Sequence, residues 1–309
     1  VGQLIDGVWQ RDSDAAPAVG GAFVRSATVF RDRIEPGGRF PPASGRYHLY
    51  VSLACPWAHR ALIFRQLKGL EGQIGLSVTH WLMGEDGWTF APGDGVIGDP
   101  FGATLLHEIY TRAEPRYTGR VTVPVLWDTH EKTIVNNESA DIIRMLGTAF
   151  DGAGATPGDF YPERLRGEID ALNERIYSAV NNAVYRAGFA RTQAAYESAV
   201  ADLFATLDWL EARLGQQKYL CGDVLTEADW RLFTTLVRFD AVYHGHFKCN
   251  IRRLIDYPAL SAFTRTLYRE PGVAETVNMD HIKRHYYLSH PWLDPTGIVP
   301  AGPEEGPTG

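Results

Sequence analysis

Hydrophobic and polar positions change period twice between Tyr47 and His80. Tyr47 to Ser52 alternates, which predicts a strand, and Ala61, Leu62, Phe64, Leu67 and Leu70 then fall at helical spacing until the polar Glu71-Gly72 break. Ile74 to His80 returns to a strand pattern, so this stretch reads β-α-β. Arg120 to Asp128 is a further strand interrupted by Pro124, which cannot donate to a ladder and predicts an edge, a bulge or a cis bond. Thr133-Ile134-Val135 lies across a short polar turn as its hairpin partner. A helix from Ala140 to Leu146 follows, with Ser139 as its N-cap.

The pattern is weaker elsewhere in the first half. Residues 1–46 mix Gly, Pro, Asp and Arg without a sustained period and read as an extended arm. Within the domain at 47–150, residues 81–118 form a loop-rich insertion, a length usually tied to function or disorder. Its Trp88 reads equally as an anchor for the loop or as part of a ligand pocket.

A Gly-, Pro- and Asp-rich linker at 151–162 precedes a change to helical periodicity, which marks an all-helical domain at 163–284. Residues 164–185 run apolar at helical spacing, and Ala194 to Leu214 is a long helix ended by Gly215. Thr226-Glu227-Ala228-Asp229 is a capping box ahead of Trp230-Arg231-Leu232-Phe233. The adjacent amides Asn181-Asn182 and Gly188 are poor helix material and mark Ile176 to Phe189 as a site wall. After Lys283 the chain is expected to leave the helices, and 285–309, rich in aromatics, to pack as an ordered extension near the active site.

Candidate chemistry starts at Cys55. Pro56 suits the first position of a helix, which puts Cys55 at or beside the N-cap. There the orphan N–H groups and the positive helix end favour a thiolate, lowering the pKa from its reference of about 8.5. His59 and Arg60, one turn on, are candidates to add positive potential. Cys55-Pro56-Trp57-Ala58 has no second cysteine, so a disulfide at this thiol must be completed by a thiol from outside.

Composition narrows the partners. A chain of 309 residues exceeds what one core usually serves, so two domains are expected. The net charge of −7 and the lack of a basic stripe argue against nucleic acid and leave small molecules as ligands. Cys55, Cys221 and Cys249 are too few for a disulfide scaffold and lack metal-type spacing, which fits a reducing cytoplasm without a metal cofactor. No stretch reaches the roughly 18 apolar residues of a membrane span, and no targeting signal is visible.

Together these features resemble the cytosolic glutathione transferases: an α/β half plus an all-α half, with a thioredoxin-like N-terminal domain and an all-helical C-terminal domain. Ser52 to Arg60, Arg120 to Asp128, Ile134 to Ser139, Val184 to Ala190 and His285-Tyr286-Tyr287 are similar, in one order, to the glutathionyl-hydroquinone reductases, the Xi class. The resemblance implies a homodimer that uses glutathione as co-substrate to reduce glutathionyl-hydroquinones. It matches Cys55 to the nucleophile and Tyr185 to the proton donor. It matches Trp88, Arg120, Val123, Glu138 and Ser139 to the glutathione contacts, and Tyr243 and Tyr286 to tyrosines near the thiol. Asn136-Asn137 carries no functional weight at this point. Two other readings use the same fold: an Omega-like thiol transferase or dehydroascorbate reductase, and a non-catalytic transferase-fold module.

Overall fold

A computed structural model describes residues 2–11 and 18–304. Its contacts divide the chain into one unit of residues 1–15, 26–158 and 275–289 and a second of 16–25, 159–274 and 290–309. Residues 1, 12–17 and 305–309 of the arm and the C-terminal extension lie outside the described residues. What the arm does show is structured: β1 (Gln3–Ile5) pairs with β2 (Val8–Gln10), and β3 (Ala18–Val19) pairs with β4 (Ala22–Phe23), the first hairpin in the first unit and the second in the other.

The first unit is built on four strands, β5 (Tyr47–Val51), β6 (Ile74–Val78), β7 (Val125–Asp128) and β8 (Thr133–Asn136), in the order β6-β5-β7-β8. β5 and β6 run parallel, as a βαβ crossover through helix α1 (Pro56–Leu67) requires, and β7 is antiparallel to both β5 and β8. All five β5 residues are buried. Helix α2 (Leu106–Ala113) buries Leu106, Ile109 and Tyr110, and α1 packs against α3 (Ser139–Thr148). The 81–118 insertion is therefore less loop-like than its glycines suggest. It contains α2, a bridge from Thr89 to Leu105 closes it on itself, and a bridge from Val78 to Ile97 ties it to the end of β6.

Pro124 does not interrupt a strand. The Val123–Pro124 bond is cis, β7 starts only at Val125, and β7 is an interior strand. Thr122 takes its backbone partner from a side chain instead, the phenol of Tyr110.

The second unit is helical, with α4 (Arg166–Ile176), α5 (Ala183–Gly188), α6 (Gln193–Leu214), α7 (Glu227–Leu236) and α8 (Pro258–Tyr268). The helix expected over 164–185 is broken by a π-helical turn at Tyr177–Asn181, and a second π turn covers Phe239–Tyr243. Asn181 explains the first break: its amide donates to the Arg231 carbonyl at 3.0 Å and to Thr235 Oγ1 at 2.8 Å, tying the wide turn to α7. Glycine is required at the end of α5, because a Cβ on Gly188 would stand 2.3 Å from the Phe247 ring.

The Thr226–Asp229 capping box starts α7. The buried Asp229 carboxylate accepts from the backbone N–H groups of Leu220 and Thr226, both at 2.8 Å, and from Thr226 Oγ1 at 3.0 Å. Burial pushes its pKa up to about 6 although these donors work the other way. Asp229→Ala leaves those donors without an acceptor and is expected to cost about 3 kcal/mol. The value is read as a lowered urea midpoint at constant m.

The chain then returns to the first unit as α9 (Met279–Leu288). It does not leave the helices after Lys283: the Asn278 side chain caps α9 at the His281 N–H, and the helix continues through His285, Tyr286 and Tyr287. Among the described residues, no helix is long and apolar enough to cross a membrane.

Candidate active site

Cys55 is the N-cap of α1, with φ −77° and ψ 120°, and Pro56 follows at the first helical position. Its N–H donates to the Ser52 carbonyl at 3.1 Å and its carbonyl accepts the His59 N–H at 3.0 Å, so the turn is held from both sides. The half-buried Sγ lies 3.7 Å from the Val123 carbonyl oxygen, across from the cis-proline turn. The thiol therefore sits at the positive end of a twelve-residue helix beside the Val123 backbone. His59 and Arg60 point into the fold: His59 Nε2 lies 2.8 Å from Thr276 Oγ1, and the Arg60 guanidinium covers Trp57 at 4.6 Å and reaches Ser139 Oγ at 3.4 Å. None of the three cysteines is in a disulfide. Cys221 and Cys249 are buried, which pushes the Cys221 thiol up to about 11 and the Cys249 thiol up further.

Glu138, not Ser139, caps α3. Its backbone is extended, with φ −102° and ψ 114°, and Oε1 accepts the Ala140 N–H at 3.2 Å, leaving Ser139 as the first helical residue. Glu138 Oε2 also accepts from Thr28 Oγ1 at 3.2 Å. A carboxylate at this cap complements the helix dipole, and the buried Ser139 hydroxyl beside it faces Arg60.

The other residues singled out in the first unit are more dispersed. Arg120 donates to the Gly2 carbonyl at 3.2 Å, and burial lowers its pKa. Trp88 is 7 % exposed and stacks on His285, with ring centroids 4.9 Å apart and 22° between planes, so α9 pins the insertion. His285 Nδ1 lies 2.9 Å from the Trp81 carbonyl oxygen and 3.2 Å from Ser289 Oγ. Tyr286, next to it on α9, is 1 % exposed. The His285-Tyr286-Tyr287 motif assigns no role to His285; its place one residue before Tyr286 is the signal that points to it.

Tyr185 and Tyr243 belong to the second unit and come together there, with centroids 6.1 Å apart at 62°. Tyr243 ends the second π turn, fully buried and stacked on Phe247 at 5.6 Å. Tyr185, half-buried on α5, packs edge-on to Phe247 at 5.3 Å. Arg25 stands 4.9 Å over the Tyr185 ring, held by a 3.0 Å bond from its Nε to Asn182 Oδ1. Arg25 was not singled out from sequence, because nothing in the arm's pattern ties it to a residue 160 positions away. Past the end of α9, His290 meets Phe189 edge-on at 5.3 Å and Trp292 lies tilted against it at 6.1 Å. Among these aromatics His246 is neutral, since burial lowers its pKa to about 4.

Comparison with known proteins places the chain. The glutathione S-transferase N-terminal domain family matches residues 54–149, and the C-terminal domain family matches residues 193–266. The chain is 56 % identical over 306 residues to glutathionyl-hydroquinone reductase PcpF of Sphingobium chlorophenolicum, covering 99 % of this chain and 97 % of that protein. It is 55 % identical to glutathionyl-hydroquinone reductase YqjG of Escherichia coli, covering 98 % and 95 %. The glutathione-bound structure of YqjG superposes with a TM-score of 0.91 at 52 % identity, covering 99 % and 97 % of the two chains. The Xi-class transferase of Natrialba magadii superposes with a TM-score of 0.94 at 48 % identity, covering 100 % and 95 %. With its thioredoxin-like first domain and helical second domain, the chain belongs to the Xi-class glutathione transferases, the family of the glutathionyl-hydroquinone reductases.

Proposed function

We propose that this protein, as a homodimer, reduces glutathionyl-hydroquinones to hydroquinones at the expense of glutathione. The observation that carries the reading is the helix-capping thiol of Cys55, which has Val123 backbone beside it and no partner cysteine in its own turn. In the first half-reaction the Cys55 thiolate attacks the glutathionyl sulfur. The new S–S bond forms as the carbon–sulfur bond breaks, the electron pair passes to the ring carbon, and Tyr185 supplies the proton that carbon takes. In the second, the thiolate of a second glutathione attacks the mixed disulfide, oxidised glutathione leaves and the Cys55 thiolate is restored. The ring is reduced by two electrons and two glutathionyl sulfurs end up joined.

The remaining residues bind and orient. Val123 offers its backbone to the cysteinyl part of glutathione as a neighbouring strand would. Glu138, Ser139 and the start of α3 receive the γ-glutamyl end, the carboxylate for an ammonium and the helix N–H groups for a carboxylate. Arg120 and Trp88 complete the glutathione site, and Tyr286 donates to the Cys55 thiolate, favouring its charged form. Tyr243 walls the hydroquinone pocket with Tyr185.

The reading separates from an Omega-like thiol transferase by substrate. With glutathione in excess, hydroquinone and oxidised glutathione should appear in equal amounts from a glutathionyl-hydroquinone, at a kcat/KM well above that for dehydroascorbate. The reverse preference would favour the transferase, and no turnover of either, with an ordinary Cys55 pKa, would favour a non-catalytic module.

A further inference from the structure

The phenol of Tyr110 lies in the first unit, outside every group given a role above. It is fully buried on α2, and its ring is satisfied by Phe30 at 5.9 Å and Tyr117 at 5.1 Å. Phenylalanine would fill the same volume, so the hydroxyl needs its own explanation. That oxygen donates to the Thr122 carbonyl at 2.8 Å, with Thr122 Oγ1 a longer neighbour at 3.4 Å, and accepts from the Thr122 N–H at 3.2 Å and from Asn137 Nδ2 at 3.1 Å. One donor and two acceptor sites are the whole capacity of a neutral phenol, and here they are filled by two separate segments. Burial raises the Tyr110 pKa, so the proton needed for the Thr122 bond is retained.

Those segments are the ones that end in Val123 and Glu138. Both backbone groups of Thr122 are committed to Tyr110, and the carbonyl of the next residue, Val123, faces Cys55 Sγ. Asn137 is fixed on its other side, where its Oδ1 accepts the Phe30 N–H at 3.2 Å and its own N–H donates to the Phe30 carbonyl at 3.1 Å. The next residue is Glu138.

We infer that the Tyr110 hydroxyl is a positioning residue for the co-substrate, holding the Val123 backbone and the Glu138 cap at the spacing that fits the cysteinyl and γ-glutamyl parts of one glutathione. The inference rests on the glutathione site proposed above. Tyr110 touches neither the reacting sulfur nor the ring, so its loss acts on affinity.

Titration calorimetry with glutathione on the full-length wild type and Tyr110→Phe examines this directly. The variant is expected to bind about tenfold more weakly. KM for the glutathionyl-hydroquinone, whose glutathionyl part occupies this site in the first half-reaction, should rise in parallel while kcat at saturation stays within about twofold. Alkylation of Cys55 by iodoacetamide, which needs no glutathione site, should keep its rate. Equal Kd values for the two proteins overturn the inference, as does a loss confined to kcat and the alkylation rate. A wild type that binds no glutathione takes away the site reading underneath it instead. If Tyr110→Phe does not fold, Asn137→Ser carries the comparison, since it cuts the Tyr110 tie to the Glu138 segment, together with the Phe30 N–H contact on the arm side, and leaves the Tyr110–Thr122 bonds in place. It is expected to weaken glutathione several-fold and to leave cysteinylglycine, which lacks the γ-glutamyl end, bound as before. Unchanged glutathione affinity in that variant overturns the inference.

Discussion

Cys55→Ser is expected to lower turnover of a glutathionyl-hydroquinone by on the order of 10³-fold or more while leaving the fold intact. A serine hydroxyl stays protonated at neutral pH even at a helix N-terminus, and its attack on sulfur would form an S–O bond that glutathione has no reason to prefer over its own disulfide. Neither remaining cysteine can replace it: Cys221 and Cys249 are buried and their thiols are held protonated. Stability should be unchanged or slightly higher, because serine is among the better N-cap residues. A melting curve beside the rate therefore separates lost chemistry from lost structure. Full activity in Cys55→Ser would remove covalent catalysis from the account.

Tyr185→Phe is expected to divide the two half-reactions. Protonation at carbon makes the ring a tolerable leaving group, and a positioned acid is worth roughly 10² to 10⁴ in rate. Turnover of the glutathionyl-hydroquinone should fall by about that factor. Exchange between glutathione and a small mixed disulfide at Cys55 should hardly change, because a sulfur leaving group departs as a thiolate without an acid at carbon. The substitution keeps the ring that packs with Phe189 and Phe247, so the aromatic wall survives. Equal losses on both substrates would show that Tyr185 acts through structure or binding.

The parts of this protein that follow from local rules were legible in the sequence. The β-α-β pattern, the Cys55-Pro56 helix start and the Thr226–Asp229 box each depend on residues within one turn of each other, and each stands as the pattern predicts. What the pattern missed depends on partners far along the chain. Proline chemistry left three options open at Pro124, and the choice of a cis bond just ahead of an interior strand goes with a Tyr110 phenol that serves Thr122 from twelve residues away. Ser139 is the better N-cap by propensity, but the longer Glu138 side chain reaches the Ala140 N–H and also meets Thr28 from the arm. The π turn at Tyr177–Asn181 needs the Arg231 carbonyl and Thr235, which periodicity within 164–185 does not register.

The candidate site divides along the same line. Cys55 announces itself through its neighbours, whereas Trp88 gains meaning only from His285 and Tyr185 from Arg25. Asn137, which no local motif marks, links the arm to Tyr110. Family resemblance supplied roles for Trp88, Tyr185 and Tyr286 that no local rule would have assigned.

The proposed reaction moves a glutathionyl group from the aromatic ring to one sulfur of the protein. Intact-mass analysis followed by peptide mapping, after mixing stoichiometric protein and glutathionyl-hydroquinone with no free glutathione, reads that step alone. The account predicts one glutathione adduct, located on Cys55, together with one equivalent of released hydroquinone. Hydroquinone release from a protein whose Cys55 remains unmodified would contradict it.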